Sequence, residues 1–408
     1  MLVDRLELRD FRSYLELTLE LRPGVNVLVG PNGIGKTNVI EAIAYISTLS
    51  SHRVAQDLPL VNREGGQATI RLEFVRGEVT SDGDMPAASR SVAEIAVIPG
   101  RANRLQISGS PVKPRELVGQ LRTVVFAPED LGLVKGDPAA RRKFLDEVLI
   151  QRAPRYLGIR ADYERVLKQR NALLKSMSKS RFRSGGESHS GSGADDNSTL
   201  KIWNEQLAEQ GAALLYGRLA LVSELAPLMT KAYEQVAPGK PAVVGYQARS
   251  FVDAGVLEPG EPVPVNREEL ANLILSSIEA KSSEEIARGI TLVGPHRDDL
   301  VLTVDGLLAK HYASHGECWS VALSLRLASF ELMRGIDSAG DPVLILDDVF
   351  AELDSSRREA LANFAAGVDQ AIITAAVAND VPDQLAGTTF IVTPGNVVQG
   401  EVNRGEEN

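Results

Sequence analysis

GPNGIGKT, Gly30 to Thr37, is preceded by the apolar run VNVLV and followed by NVIEAIAYI. The spacing matches G-x-x-x-x-G-K-[ST] in full, with a strand-like run before it and a helix-like run after it, as this phosphate loop requires. Glycines let successive backbone N–H groups curl around phosphates, Lys36 reaches the β and γ oxygens, and the Thr37 hydroxyl coordinates magnesium. From average residue usage, a chance match in a chain of this length is on the order of one per cent. The stretch implies an α/β fold and a nucleotide held by Gly30, Pro31, Asn32, Gly33, Ile34, Gly35, Lys36, Thr37 and Asn38.

A second motif lies far downstream. In PVLILDDVFAELD, Pro342 to Asp354, the run Val343 to Leu346 reads as a buried parallel strand. Asp347 at its end can join Thr37 in holding Mg²⁺, and Asp348 is expected to face the attacking water. Lys36, Asp347 and Asp348 are therefore the candidate catalytic residues. The guanine-reading Asn-Lys-x-Asp of GTPases is absent from the sequence.

A third cluster, Ser314-His315-Gly316-Glu317, opens the apolar helical pattern CWSVALSLRLAS. Ser314 and Glu317 have capping-box spacing, which satisfies two orphan donors at a helix start. Gly316 has no part in capping. A hydroxyl beside an unobstructed glycine N–H at a helix start is also an anion site, and the two readings are compatible.

Composition narrows the class. At 408 residues the chain can hold two domains, or one large domain with an insertion. No hydrophobic stretch approaches the ~18 residues of a spanning helix, and MLVDRLELRDF reads as a charged, alternating strand, so a cytoplasmic location is expected. One cysteine, Cys318, excludes an internal disulfide framework and a cysteine-based zinc cluster. The net charge is −10, yet Lys135 to Arg183 carries 14 Lys and Arg against 5 Asp and Glu, a local charge of +9. That asymmetry points to an anionic partner for one region.

The periodicity changes along the chain. YLELTLEL, ATIRLEFV, AEIAVI, RLQIS and LRTVVFA read as strands of a β-rich lobe around the phosphate loop. From Pro138 the period is helical: Tyr156, Ile159, Tyr163, Val166, Arg170, Leu173 and Met177 form one seam, and Leu200, Leu207, Leu214, Leu221 and Leu228 a second. Between them a Ser- and Gly-rich segment predicts a disordered tip over about residues 178–199. The expected organisation is a discontinuous head, 1–137 and 290–408, with an inserted helical arm, a short antiparallel coiled coil, over 138–289. LVLTV is a further strand, and VDGL a hairpin turn.

Arg141, Arg142 and Lys143 fall in the first turn of a predicted helix, where the helix dipole disfavours cations. That placement makes them candidates for a phosphate contact, as a DNA-binding group would need, with partner-protein or intramolecular ion pairs as the alternative. The turn GPHRDD, Gly294 to Asp299, reads as a structural joint where the arm returns, with a DNA or partner surface as the alternative.

Ser-His-Gly-Glu is similar to the Ser-Gly-Gly-(Gln or Glu) signature of ATP-binding-cassette proteins, whose hydroxyl and glycine N–H bind a γ-phosphate held by the opposite protomer. The order LRDFRSY, GPNGIGKTN, SSHR, FAPEDLGLVKGDPAARRKFLD, TLVGPHRDD, YASHGE and LILDDVFAELD resembles the RecF family, and SSHR and FAPEDLGLVKGDPAARRKFLD have no counterpart in generic cassette ATPases. The resemblance implies a miniature SMC-type head and an ATP- and Mg²⁺-dependent homodimer with Ser314, Gly316 and Glu317 acting in trans. It also implies DNA binding at single-strand gaps on the nucleoid, and work with RecO and RecR to load RecA. It puts Arg12 near nucleotide phosphate, and Glu129 where cassette proteins carry a magnesium-sensing Gln. Three departures predict slow hydrolysis: His315 replaces a signature glycine, Asp348 stands where many relatives have Glu, and AIITAAVAND lacks a switch histidine. A transporter-type cassette ATPase is the alternative, which the long basic insertion disfavours. An SMC-related nuclease would need a further metal-binding domain after LILDDVFAELD.

Overall fold

The computed structural model describes residues 1–77, 89–183, 192–258, 263–334, 336 and 339–400. The chain opens with β1 (Leu2–Phe11), β2 (Tyr14–Glu20) and β3 (Gly24–Val29), and α1 (Lys36–Thr48) begins at the end of the phosphate loop. β4 (Ala68–Arg76), β5 (Ser89–Val97), β6 (Arg104–Ile107), β7 (Ser110–Pro111) and β8 (Thr123–Phe126) follow. An antiparallel sheet of order β2-β1-β4-β5-β6-β7 forms the β-rich lobe. Its strands alternate as read: Leu6 and Leu8 of β1 pair with Leu19 and Leu17 of β2 on the buried face.

The arm consists of α2 (Pro138–Arg152), α3 (Arg155–Arg183) and α4 (Ser192–Val236), then β9 (Ala242–Gln247) and α5 (Arg267–Arg288). β10 (Asp299–Val304), β11 (Leu307–Leu308) and the signature helix α6 (His315–Arg334) complete the return. Tyr156, Tyr163 and Val166 of the first seam are buried, as are Leu200, Leu207, Leu214 and Leu221 of the second. The seam shifts by one residue at its far end, where Leu174 rather than Leu173 is fully buried. Its one cation is satisfied inside the core: Arg170 bonds Glu285 at 2.5 Å, Thr291 Oγ1 at 2.8 Å and Asn204 Oδ1 at 2.8 Å.

Three expectations change here. The tip expected to be disordered is helical at 178–183 and 192–199, because α3 and α4 run on past their apolar seams; its residues 184–191 lie outside the described residues. By length and composition α4 could cross a membrane, contrary to the sequence expectation, but more than half of its most apolar window is buried, and it packs against α3, α5 and α6 as a core helix does. The head and arm also share a sheet: β9, inside the expected arm, pairs antiparallel with β10, beyond residue 290. VDGL turns between β10 and β11 with positive φ at Asp305 and Gly306, as a tight hairpin turn requires.

The chain closes with β12 (Val343–Asp347), α7 (Ser355–Ala366), β13 (Gln370–Ala375), β14 (Thr388–Thr393) and β15 (Asn396–Gln399). These strands assemble with β3 and β8 into a second sheet of order β15-β14-β3-β13-β12-β8, parallel except for the β14-β15 hairpin. The phosphate-loop strand therefore belongs to this sheet and not to the lobe. Leu28, Ile345 and Ile372 point into the lobe-side core, while Val27, Leu344, Leu346 and Ile373 point into the helix-side core. Burial on both faces explains the consecutive apolar residues Val27 to Val29 and Val343 to Leu346. Each such Leu or Ile contributes roughly 1.5–3 kcal/mol by leaving water. The parallel register puts Asp347 beside Thr374, and Thr374 beside Leu28, so the ends of β3, β13 and β12 open onto one crevice.

Candidate functional site

The phosphate loop needs its glycines for conformation and for space. Gly35 has φ 121, and a Cβ there would meet the Tyr14 hydroxyl at 2.9 Å and Ser13 Oγ at 3.0 Å. Tyr14 also donates to the Gly35 carbonyl at 3.2 Å, and burial pushes its phenol up to about 12. Lys36 folds onto the loop's own acceptors, the carbonyls of Gly30 at 2.5 Å and Pro31 at 3.2 Å and the Asn32 side chain at 3.3 Å. Burial lowers its pKa, and the nearby carboxylates of Asp348, Asp347 and Asp380 oppose that shift. These acceptors hold an ammonium where arriving phosphate oxygens can replace them.

Across the crevice, the Thr37 hydroxyl donates to Asp347 Oδ1 at 3.2 Å. Thr374 donates to the same oxygen at 2.6 Å and accepts from the Asp348 backbone N–H at 2.9 Å. Asp348 takes the left-handed conformation, φ 53, which re-aims the chain directly after β12. Burial raises the pKa of Asp347, the two threonine hydroxyls oppose this, and Glu129 and Asp348 add to it. Thr374 escaped the sequence reading, which examined AIITAAVAND only for a histidine; a hydroxyl one strand over from Asp347 was the available signal. Glu129 is exposed and near enough to Asp347 to act on it, while its neighbour Asp130 is clamped by Arg326 of α6 at 2.6 Å.

Arg12 stands differently from the expected phosphate contact. Its Nε and Nη2 form a fork with Glu41 at 2.8 and 2.6 Å, and Nη1 donates to the Pro59 carbonyl at 2.9 Å. Glu41 is fully buried and also accepts from Ser51 Oγ, so Arg12 ties the turn after β1 to α1. Arg141 is corrected more firmly. It is 4% exposed, grips both oxygens of Asp299 at 2.6 and 2.8 Å, and donates to the Leu133 and Gly136 carbonyls. Four of its five N–H groups are engaged inside the fold, and its burial against Asp299 of β10 leaves its charge compensated and out of reach of DNA. Arg142 donates to the Asp298 carbonyl at 2.7 Å, and Lys143, which is exposed, to the Ser51 carbonyl at 2.7 Å.

The turn Gly294–Asp299 is bonded into the arm's base. Tyr163 meets His296 Nδ1 at 2.6 Å, Tyr246 donates to Asp298 at 2.9 Å, and Arg297 donates to the Thr291 carbonyl at 2.8 Å.

At the signature both halves of the capping box form. Ser314 N–H donates to Glu317 Oε2 at 2.9 Å, and Glu317 N–H donates to Ser314 Oγ at 3.2 Å. Lys240 adds a 2.7 Å ion pair, and these partners, Lys240 foremost, hold the Glu317 carboxyl down to about 2. His315 lies back along its own helix and accepts from Trp319 Nε1 at 3.1 Å. Ser314 and His315 are exposed. Among the described residues no hydrogen bond or ion pair joins 314–317 to 30–38, whereas Lys36, Thr37, Asp347 and Asp348 do converge.

A parallel sheet that carries a P-loop and an acidic strand end, with an antiparallel lobe on one face and helices on the other, defines an ABC-type P-loop ATPase head of the SMC kind. Residues 2–390 match the family described as RecF/RecN/SMC N terminal domain. The sequence is 51% identical over 400 residues to the DNA replication and repair protein RecF of Frankia alni, covering 98% of this chain and 100% of that one. It is 48% identical over 399 residues to its counterpart in Streptomyces avermitilis, covering 97% and 99%. The chain belongs to the RecF family of DNA replication and repair proteins.

Solved structures agree. The recombination mediator protein RecF-ATPrS in the RecFOR pathway superposes with a TM-score of 0.81 at 26% identity, covering 98% of each chain. The Smc head domain with a coiled coil and joint from Pyrococcus yayanosii, at 13% identity and a TM-score of 0.52 over 98% and 97% of the two chains, shares the fold.

Proposed function

We propose that the chain is an ATP-switched, DNA-binding recombination mediator. The observation that carries the reading is the convergence of Lys36, Thr37, Asp347 and Thr374 in one crevice, while an exposed, capped signature helix bonds elsewhere. ATP would lie on the loop 30–38, with Lys36 exchanging loop carbonyls for phosphate oxygens. Thr37 and Asp347 offer the hard oxygens that suit Mg²⁺, which would supply charge neutralisation at the phosphates. Asp347, buried among acidic neighbours with hydroxyl partners, fits that cation. Asp348 would orient water beside the γ-phosphate. Ser314, Gly316 and Glu317 would close the partner protomer's site, so that ATP joins two copies. The short Asp348 carboxylate makes hydrolysis slow, well under the ~10 s⁻¹ enzyme median in the absence of DNA.

By likeness to the RecF of the RecFOR pathway, the proposed partners are RecO and RecR, with RecA loading at single-strand gaps as the outcome, in the cytoplasm on the nucleoid. The arm offers DNA a different surface from the one first expected. Arg165, Lys168, Lys175 and Lys179 of α3 are all exposed, and at the helical period they fall within about a quarter turn of one another. Lys168, Lys175 and Lys179 have no ion pair among the described residues, so their charge is available to phosphates. The test is affinity for gapped duplex with ATP across a salt series. Replacing the four by Gln is expected to flatten the log–log salt slope by about 0.9 for each phosphate that is no longer neutralised. An unchanged slope would remove the stripe from the reading. ATP-independent binding would remove the switch.

A further inference from the structure

Gly316 has a neighbour that neither capping nor phosphate binding explains. A Cβ at this position would stand 3.1 Å from Arg357 Nη1 and 3.2 Å from its Nη2, so the guanidinium lies directly against the signature's first turn. Arg357 comes from the first turn of α7, just after the segment that follows Asp347 and Asp348. Its Nε donates to Ser320 Oγ at 2.6 Å, and Ser320 in turn donates to the Gly316 carbonyl at 3.1 Å. Its Nη1 pairs with Asp354, whose Oδ1 accepts from the Arg357 backbone N–H at 3.0 Å and so caps α7. The side chain is 18% exposed. A single planar fork thus joins the loop after the catalytic strand end to the signature helix of the same chain.

We propose that Arg357 is a positioning residue that couples the two ATP sites of the dimer. The inference rests on the trans-acting signature proposed above. In that arrangement Asp348 belongs to a protomer's own nucleotide and the signature to the partner's, and the segment after Asp348 leads to Arg357 between them. Arg357 makes the two move as one body, so occupancy of one site sets the geometry presented to the other. Arg supplies this where Lys cannot, because the planar fork engages Ser320 and Asp354 together while its end packs against the glycine. Gly316 is then required for close approach of the guanidinium as well as for an open N–H.

The test uses the full chain with ATP and Mg²⁺, comparing wild type, Arg357→Ala, Arg357→Lys and Ser320→Ala. Fluorescent ATP titration of dilute protein reads the cis site, sedimentation reads dimerisation, and the ATP dependence of hydrolysis reads cooperativity. Arg357→Ala is expected to keep cis ATP affinity within about twofold, to weaken ATP-driven dimerisation by about tenfold, and to bring the Hill coefficient down to one. Ser320→Ala shifts both in the same direction by less, and Arg357→Lys fails to restore cooperativity. Arg357→Ala that dimerises and cooperates like wild type overturns the coupling and leaves the composite site standing. Equal loss of cis ATP affinity and dimerisation also overturns it, by making Arg357 a general support of the head. A wild type that stays monomeric with ATP instead removes the composite site, and the coupling with it.

Discussion

The starts of α1 and α6 both carry a glycine and a hydroxyl, and they are finished in opposite ways. At α1 the surrounding chain closes in: Lys36 folds onto loop carbonyls, Tyr14 and Ser13 pack against Gly35, and Arg12 and Glu41 pin the helix to β1. At α6 the end stays open: Ser314 and His315 face solvent, and its supports, Glu317, Lys240 and Arg357, sit beside the first turn. The same backbone chemistry is therefore enclosed among phosphate-binding groups at one helix start and left exposed at the other. The difference lies in long-range packing rather than in the two motifs.

The largest effect expected from breaking this contrast is on the closed side. Arg12→Ala leaves the fully buried Glu41 with only the more distant Arg53 and the Ser51 hydroxyl as partners, and should destabilise the fold by about 3 kcal/mol, the low end for a broken buried pair, in urea unfolding. A surface phosphate contact would cost almost no stability, so a small loss would contradict the position of Arg12. Next, Lys36→Ala should weaken ATP binding by about 100-fold, because a charge-assisted hydrogen bond to phosphate is removed, with little change in melting temperature. Thr374→Val keeps the shape beside Asp347 and removes the hydroxyl that orients it. Hydrolysis should fall about 10–100-fold, as for other partners that orient ligating carboxylates, with a smaller change in ATP affinity.

The smallest effect is a pH dependence on the open side. Glu317 is held down to about 2, first by Lys240 and then by Ser314, from an ordinary value of 4.5. Because the folded-state pKa is depressed, its stabilising contribution is complete above pH 4.5 and is lost as pH falls toward 2. The melting-temperature gap between wild type and Glu317→Gln should be constant from pH 7 to about 5 and shrink below that. A gap that widens on acidification would contradict the ion pair.

Much of this was legible in the sequence where the signal is local. Period-2 runs marked β1, β2 and β4, leucines at sevenfold spacing marked α4, and VLILDD marked a strand buried on both faces. What the sequence hid depends on distant pairing. The dipole at the start of α2 disfavours Arg141, but Asp299, 158 residues away, more than compensates, and that partner cannot be found by spacing. Thr374 and Arg357 sit in unremarkable local patterns, and each gains its role only when parallel register or helix packing brings it to Asp347 or Gly316. The basic segment was visible as composition, while its division into buried pairs and a solvent-facing stripe on α3 required the fold.

The contrast between a closed and an open helix end is tested most directly by sedimentation of the wild type and Ser314→Arg, each with and without ATP and Mg²⁺. A monomer that dimerises with ATP in the wild type, and stays monomeric in Ser314→Arg while still binding ATP, is the predicted result. A wild type that remains a monomer at saturating ATP, or a Ser314→Arg variant that dimerises equally well, would contradict the claim that the signature is half of a site completed in trans.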